Sequence, residues 1–178
     1  LSSSPSRPRL CWRVGVTGHR HLADGKLPLL QAAVADVLAA VRDALEEVAA
    51  DAATTSVHDL GDGGPDLRLI SPLADGADRL VASEALRQGY ELCVVLPFAE
   101  SDYERTMKVG AAAAFRALLQ EAGSHLGGRV LTLDGASGAL RRESYLAVGQ
   151  FILRNCDLLI AIWDGEPKRT SVEHASLY

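Results

Sequence analysis

The sequence predicts an α/β protein: a Rossmann-like, doubly wound, mainly parallel sheet of five or more strands, with helices on both faces. Five short apolar runs alternate with segments of helical periodicity. The runs show no in/out alternation, as expected of strands covered on both faces. The 178 residues, 48% apolar and 23% charged, fit one domain with a sizeable core. Aromatics supply only 5%, so Leu, Val, Ile and Ala must build that core.

Residues 13–17 (RVGVT) form the first expected strand. Residues 28–51 follow as a helix, with Leu30, Val34, Val37, Leu38, Val41, Leu45 and Val48 at helical spacing and Asp36, Arg42, Asp43, Glu46 and Glu47 left for solvent. Residues 59–66 (DLGDGGPD) are turn chemistry, and residues 67–71 the second strand. A helix over 78–88 is closed by Gly89. Residues 91–97 (ELCVVLP) are the third strand, 101–123 one long Ala- and Leu-rich helix, and 130–133 a short fourth strand. A helix over 142–154 leads to the fifth strand, 157–163 (DLLIAIW). Residues 1–11 read as a disordered lead-in or cloning remnant before a single domain over 12–178. The missing initial Met suggests a fragment, and the C-terminus is open to truncation.

Composition excludes several classes. A net charge of -5 argues against a nucleic-acid binder that depends on broad phosphate neutralisation. Cys11, Cys93 and Cys156 make neither a disulfide framework nor a zinc site, which favours a cytoplasmic setting. No stretch approaches the roughly 20 apolar residues of a membrane span. There is no Walker A loop, H-E-x-x-H or G-x-S-x-G, so no metal or catalytic group stands out.

In such sheets ligands sit beyond the carboxyl ends of the strands. After the first strand come Gly18, His19 and Arg20: a tight exit, a ring that can donate or stack, and a planar fork for phosphate or carboxylate. After the second come Leu73, Ala74, Asp75, Gly76, Ala77 and Asp78, small residues at a helix start, where free N–H groups and the dipole favour an anion. Asp75 or Asp78 is expected to cap that helix, and Asp78 could instead accept from a ribose hydroxyl. Phe98, after the third strand, either packs or lines a base pocket, and Ser101 or Asp102 is expected to cap the next helix. Arg141 and Arg142 open the helix before the fifth strand against its dipole. Trp163, Asp164 and Gly165 close the set.

The ordered segments VGVTGHR, SPLADGADRLVASEAL, VVLPF with a following Asp-Tyr, and YLAVGQFILRNCDLLIAIWDG resemble the SLOG superfamily, which includes the DNA-processing protein A fold and the Lonely-guy phosphoribohydrolases. The resemblance covers about residues 12–165. It implies a site for nucleotides or nucleotide-derived signals, with Gly18, His19, Arg20, Leu73, Ala74, Gly76, Ala77, Asp78, Asp164 and Gly165 at matching positions. The phosphoribohydrolase signature P-G-G-x-G-T-x-x-E is not kept. The region reads Glu166-Pro167-Lys168-Arg169-Thr170-Ser171-Val172-Glu173, with only the T-x-x-E spacing of Thr170 and Glu173.

The leading expectation is therefore a module that binds a nucleotide or ADP-ribose-like ligand and can regulate an effector outside this chain. No cofactor is firmly implied. The alternative is an enzyme cleaving the N-glycosidic bond of nucleoside monophosphates with Glu173 and Arg142. A single-stranded DNA binder ranks last. The Ala-rich helix around 111–114 leaves a homo-oligomer open.

Overall fold

The computed structural model describes residues 9–54, 64–108, 110–124, 128–138 and 140–165. Five strands, β1 (Cys11–Gly18), β2 (Asp66–Ser71), β3 (Glu91–Leu96), β4 (Arg129–Thr132) and β5 (Leu158–Ile162), form one sheet in the order β4-β3-β2-β1-β5. All neighbours are parallel, with Val14 opposite both Leu69 and Leu158. Helices α1 (Leu27–Thr54), α2 (Ala77–Arg87), α3 (Glu100–Glu104), α4 (Ala112–Ser124) and α5 (Arg141–Asn155) fill the connections. The expected α/β class with a parallel sheet is what the chain adopts. None of the described helices is long and apolar enough to cross a membrane.

Successive strand residues point to opposite faces, so each apolar run feeds two cores. Val14, Val16, Leu69, Leu92, Val94 and Leu96 meet α1, α2 and α4 through Val34, Leu38, Val81, Ala85 and Phe115. Ile70 and Val95 meet Val148 and Ile152 of α5 on the other face, with Cys93 and Cys156 alongside. Gly15 lets α5 settle here, because a Cβ would stand 2.7 Å from the Ile152 side chain.

The chain winds outward from β1 to β4, then returns to lay β5 against the far side of β1. The direction of winding therefore reverses between β1 and β5, the point at which sheets of this kind place a ligand crevice at their carboxyl ends. Gly89 ends α2 as predicted. It adopts φ +83°, its N–H bonds the Leu86 carbonyl and the Tyr90 N–H bonds the Ala85 carbonyl. The buried Tyr90 hydroxyl then donates to the Leu38 carbonyl of α1 at 2.7 Å, tying the α2–β3 connection to α1.

Two expectations change. Val37 and Val48 are exposed, so the buried stripe of α1 narrows to Val34, Leu38 and Leu45, flanked by Val41. The single helix over 101–123 is two helices, α3 and α4. The Thr106 hydroxyl donates to the Tyr103 carbonyl at 2.7 Å, offering the backbone an alternative to helix. Gly110 then takes φ +86°, a conformation through which a right-handed helix cannot continue. Arg79 of α2 holds the break, with Nη1 donating to the Ala111 carbonyl at 2.8 Å. The restarted α4 lies on its own sheet through Phe115 and Ala122.

Candidate functional site

Gly18 ends β1 opposite Ile162 of β5. One residue on, the His19 N–H donates to the Ile162 carbonyl at 3.2 Å, while the His19 carbonyl accepts from the Ala77 N–H at 3.0 Å. This peptide is thus stitched between the end of β5 and the first turn of α2. Gly18 and Gly76 make the stitch possible. A Cβ on Gly18 would stand 2.6 Å from the Ala77 Cβ, and one on Gly76 would stand 2.6 Å from the Arg20 carbonyl. Both glycines admit neighbouring backbone or side chain of this chain at close range.

The start of α2 differs from the expected cap. Its N-cap is Gly76, with no side-chain cap. Asp75 pairs with Arg79 at 2.7 Å, and Asp78 Oδ2 accepts from the Ala74 N–H at 3.2 Å, behind the helix start. Leu73 and Ala77 are fully buried, and the Ala77 N–H is taken up by the His19 carbonyl. Leu73 adopts φ +56°, unusual for a residue with a Cβ. Its N–H bonds Ser71 Oγ at 3.1 Å and its carbonyl accepts from Arg79 Nε at 3.0 Å, which hold it there. Helix α3 likewise starts at Ala99 without a side-chain cap, and Asp102 instead pairs with Arg105.

Arg79 is therefore a positioning residue. Besides Asp75, Leu73 and Ala111, it approaches Met107 Sδ at 3.1 Å. A compact ammonium cannot reproduce that fork. Arg79→Lys is expected to lower stability by about 2 kcal/mol through carbonyls left without a donor. Urea unfolding of the two proteins measures the difference.

Polar groups follow the β1 and β5 exits. His19 Nε2 stands 3.6 Å from Asp164 Oδ1, spanning the β1 and β5 exits. Trp163, 63% exposed, and Gly165 follow β5. The Arg20 guanidinium lies over the Tyr145 ring at 5.1 Å. Among the described residues no carboxylate lies within ion-pair distance of Arg20, whereas Arg79 and Arg87 are paired with Asp75 and Glu84. Tyr145 is held in turn by its hydroxyl against Thr106 Oγ1 at 3.4 Å and by Phe98 and Tyr103, at ring separations of 5.9 and 6.3 Å. Phe98 is buried in this cluster and has a packing role. Arg142 is exposed in the first turn of α5, three residues before Tyr145. Glu173 lies outside the described residues.

Behind these groups sits Asp78, only 6% exposed. Burial pushes its carboxyl up to about 7, against the pull of the Ala74 N–H and of Arg20 and Arg79. Tyr103, also buried, has its phenol pushed far above the ordinary range by burial and by Asp78.

Sequence reasoning found Arg20 but not its platform. In the sequence Tyr145 stands only as the first residue of the segment YLAVGQFILRNCDLLIAIWDG, though it falls in helical phase with the buried Val148 and Ile152. A groove of about 430 Å³ runs from Gly76 along α2 past Leu80 and Ser83 and beneath Leu22 and Leu27. Its arginines, Arg79 and Arg87, are already neutralised. No group of His, Cys, Asp and Glu among the described residues could hold a metal ion.

Fold and site together define a class: an α/β domain whose parallel sheet reverses its winding between β1 and β5. Just after β1 stands a guanidinium, that of Arg20, with no carboxylate within ion-pair distance among the described residues. No family model matches the chain, and neither a curated protein nor a solved structure matches it significantly.

Proposed function

We propose that the domain binds an anionic nucleotide or nucleotide-derived ligand, ADP-ribose-like ligands included, in the crevice between the β1 and β5 exits. The observation that carries this reading is Arg20, fixed on the Tyr145 ring with no carboxylate partner among the described residues. A guanidinium so placed presents N–H donors to a phosphate in a fixed orientation. His19 and Asp164, 3.6 Å apart across the β1 and β5 exits, offer a ring and a carboxylate to the same ligand. The SLOG resemblance of the four ordered segments supports the same ligand class. Such a module acts by reporting its occupancy to an attached effector or to a second copy.

Calorimetry against AMP, ADP, ATP, ADP-ribose and cyclic adenine nucleotides tests this. At least one is expected to bind. Arg20→Ala is expected to weaken that ligand about tenfold or more, the loss of one charge-assisted contact. Failure of the whole panel to bind a folded sample rejects the reading.

A further inference from the structure

We infer that Asp78 is a proton-coupled carboxyl behind the ligand site: an anionic ligand docking on Arg20 draws a proton onto Asp78, so affinity falls as pH rises. This rests on reading the crevice as an anion site.

Asp78 sits in the first turn of α2, buried, with its Oδ2 held by the Ala74 N–H. The charged and titratable groups that act on it are Arg20 from the connection after β1, Arg79 of α2 and the Tyr103 phenol of α3, with Tyr145 of α5 packed against both Arg20 and Tyr103. Arg79 has its charge balanced by Asp75 at 2.7 Å. Arg20 is exposed and has no such partner among the described residues. It is therefore the cation whose field at Asp78 a ligand can cancel. An anion on Arg20 removes the favourable field and adds negative charge nearby, and both disfavour the carboxylate. The proton comes from solvent and rests on a carboxyl oxygen, with no bond made or broken elsewhere.

The sign follows from linkage. The carboxyl titrates near 7 in the free protein and higher in the complex. Affinity is then level below about 7 and falls above it, by at most about tenfold per pH unit, until the complex itself deprotonates.

ADP-ribose is the probe, because its diphosphate charge is constant from pH 6 to 9. Calorimetry at pH 6, 7, 8 and 9, in buffers of different protonation enthalpy, is expected to show proton uptake at pH 8 and affinity falling between 7 and 9. Asp78→Asn is expected to bind with level affinity and no uptake. Wild-type binding without linkage, or linkage that persists in Asp78→Asn, overturns the inference and leaves the ligand reading standing. If the variant does not fold, carboxyl-carbon NMR of the wild-type protein decides. An Asp78 midpoint raised by ADP-ribose supports the inference, and an unmoved one overturns it. No ADP-ribose binding at any pH, with the domain folded, overturns the inference and leaves the ligand reading to the rest of the nucleotide panel.

Discussion

Asp78→Asn is expected to stabilise the domain at pH 8 and to leave it nearly unchanged at pH 4. The carboxyl is buried and titrates near 7, against 3.8 for the ordinary group. A folded-state value above the unfolded one means that the stability contribution is complete below the unfolded value. It is lost progressively as pH rises from about 4 to about 7 and stays lost above. At pH 8 the wild-type protein holds a carboxylate out of water. The Arg20 and Arg79 guanidiniums and the Ala74 N–H compensate it only in part. Asn carries no charge, and its carbonyl oxygen can still accept from Ala74. The expected gain at pH 8 is about 2–4 kcal/mol. It follows from roughly 1.4 kcal/mol for each pH unit by which folding raises the carboxyl, discounted for the new amide donors. Thermal and urea unfolding of both proteins at pH 4, 6 and 8 gives the answer. Equal stabilities at pH 8 would mean that the two arginines fully balance the charge.

The same residue shows what the sequence could and could not convey. Strands were legible because β2, β3 and β5 are apolar runs bounded by turn residues and helices, a local pattern. The end of α2 was legible for the same reason, since Gly89 is a local stop signal. Asp78 read as a cap or a ribose acceptor because its neighbours in sequence are those of a helix start. Its burial is a tertiary property, and the groups that act on it include Arg20 after β1 and Tyr103 of α3, far from it along the chain. Tyr145 was passed over likewise. Its partner Arg20 belongs to the β1 exit, and only the return of β5 and α5 across the sheet brings them together. The split of the helix over 101–123 had one visible cue, Gly110. The rest of the cause, Arg79 reaching from α2 to the Ala111 carbonyl, is tertiary. Propensity favoured one helix, and side chain-to-backbone bonds overrode it.

Gly76→Ala is expected to be among the most damaging single-methyl changes in this protein, for two separable reasons. Gly76 adopts φ +82° and ψ −118°, a region in which a Cβ is strained. The added carbon would also stand against the His19 carbonyl and 2.6 Å from that of Arg20, both main chain. Gly89 isolates the first reason: its φ is +83° but nothing lies within 4 Å of where a Cβ would stand, so Gly89→Ala is expected to cost about 1 kcal/mol. Gly18 isolates the second: its Cβ would meet Ala77 and the Ile162 carbonyl at 2.6 and 2.7 Å, with no positive φ. Gly76→Ala combines both and is expected to cost more than about 3 kcal/mol. The collision cannot be relieved by rotating a side chain. Either α2 withdraws or the β1 exit does, and both break the Ala77 N–H bond to His19. Either movement also shifts Arg20 on Tyr145. Residual folded Gly76→Ala should therefore bind ADP-ribose more weakly than Gly89→Ala does at equal folded concentration. Urea unfolding with calorimetry on the three variants separates the two effects. A Gly76→Ala protein no less stable than Gly89→Ala would show that the β1 exit can move away freely, and the stitched crevice would lose its foundation.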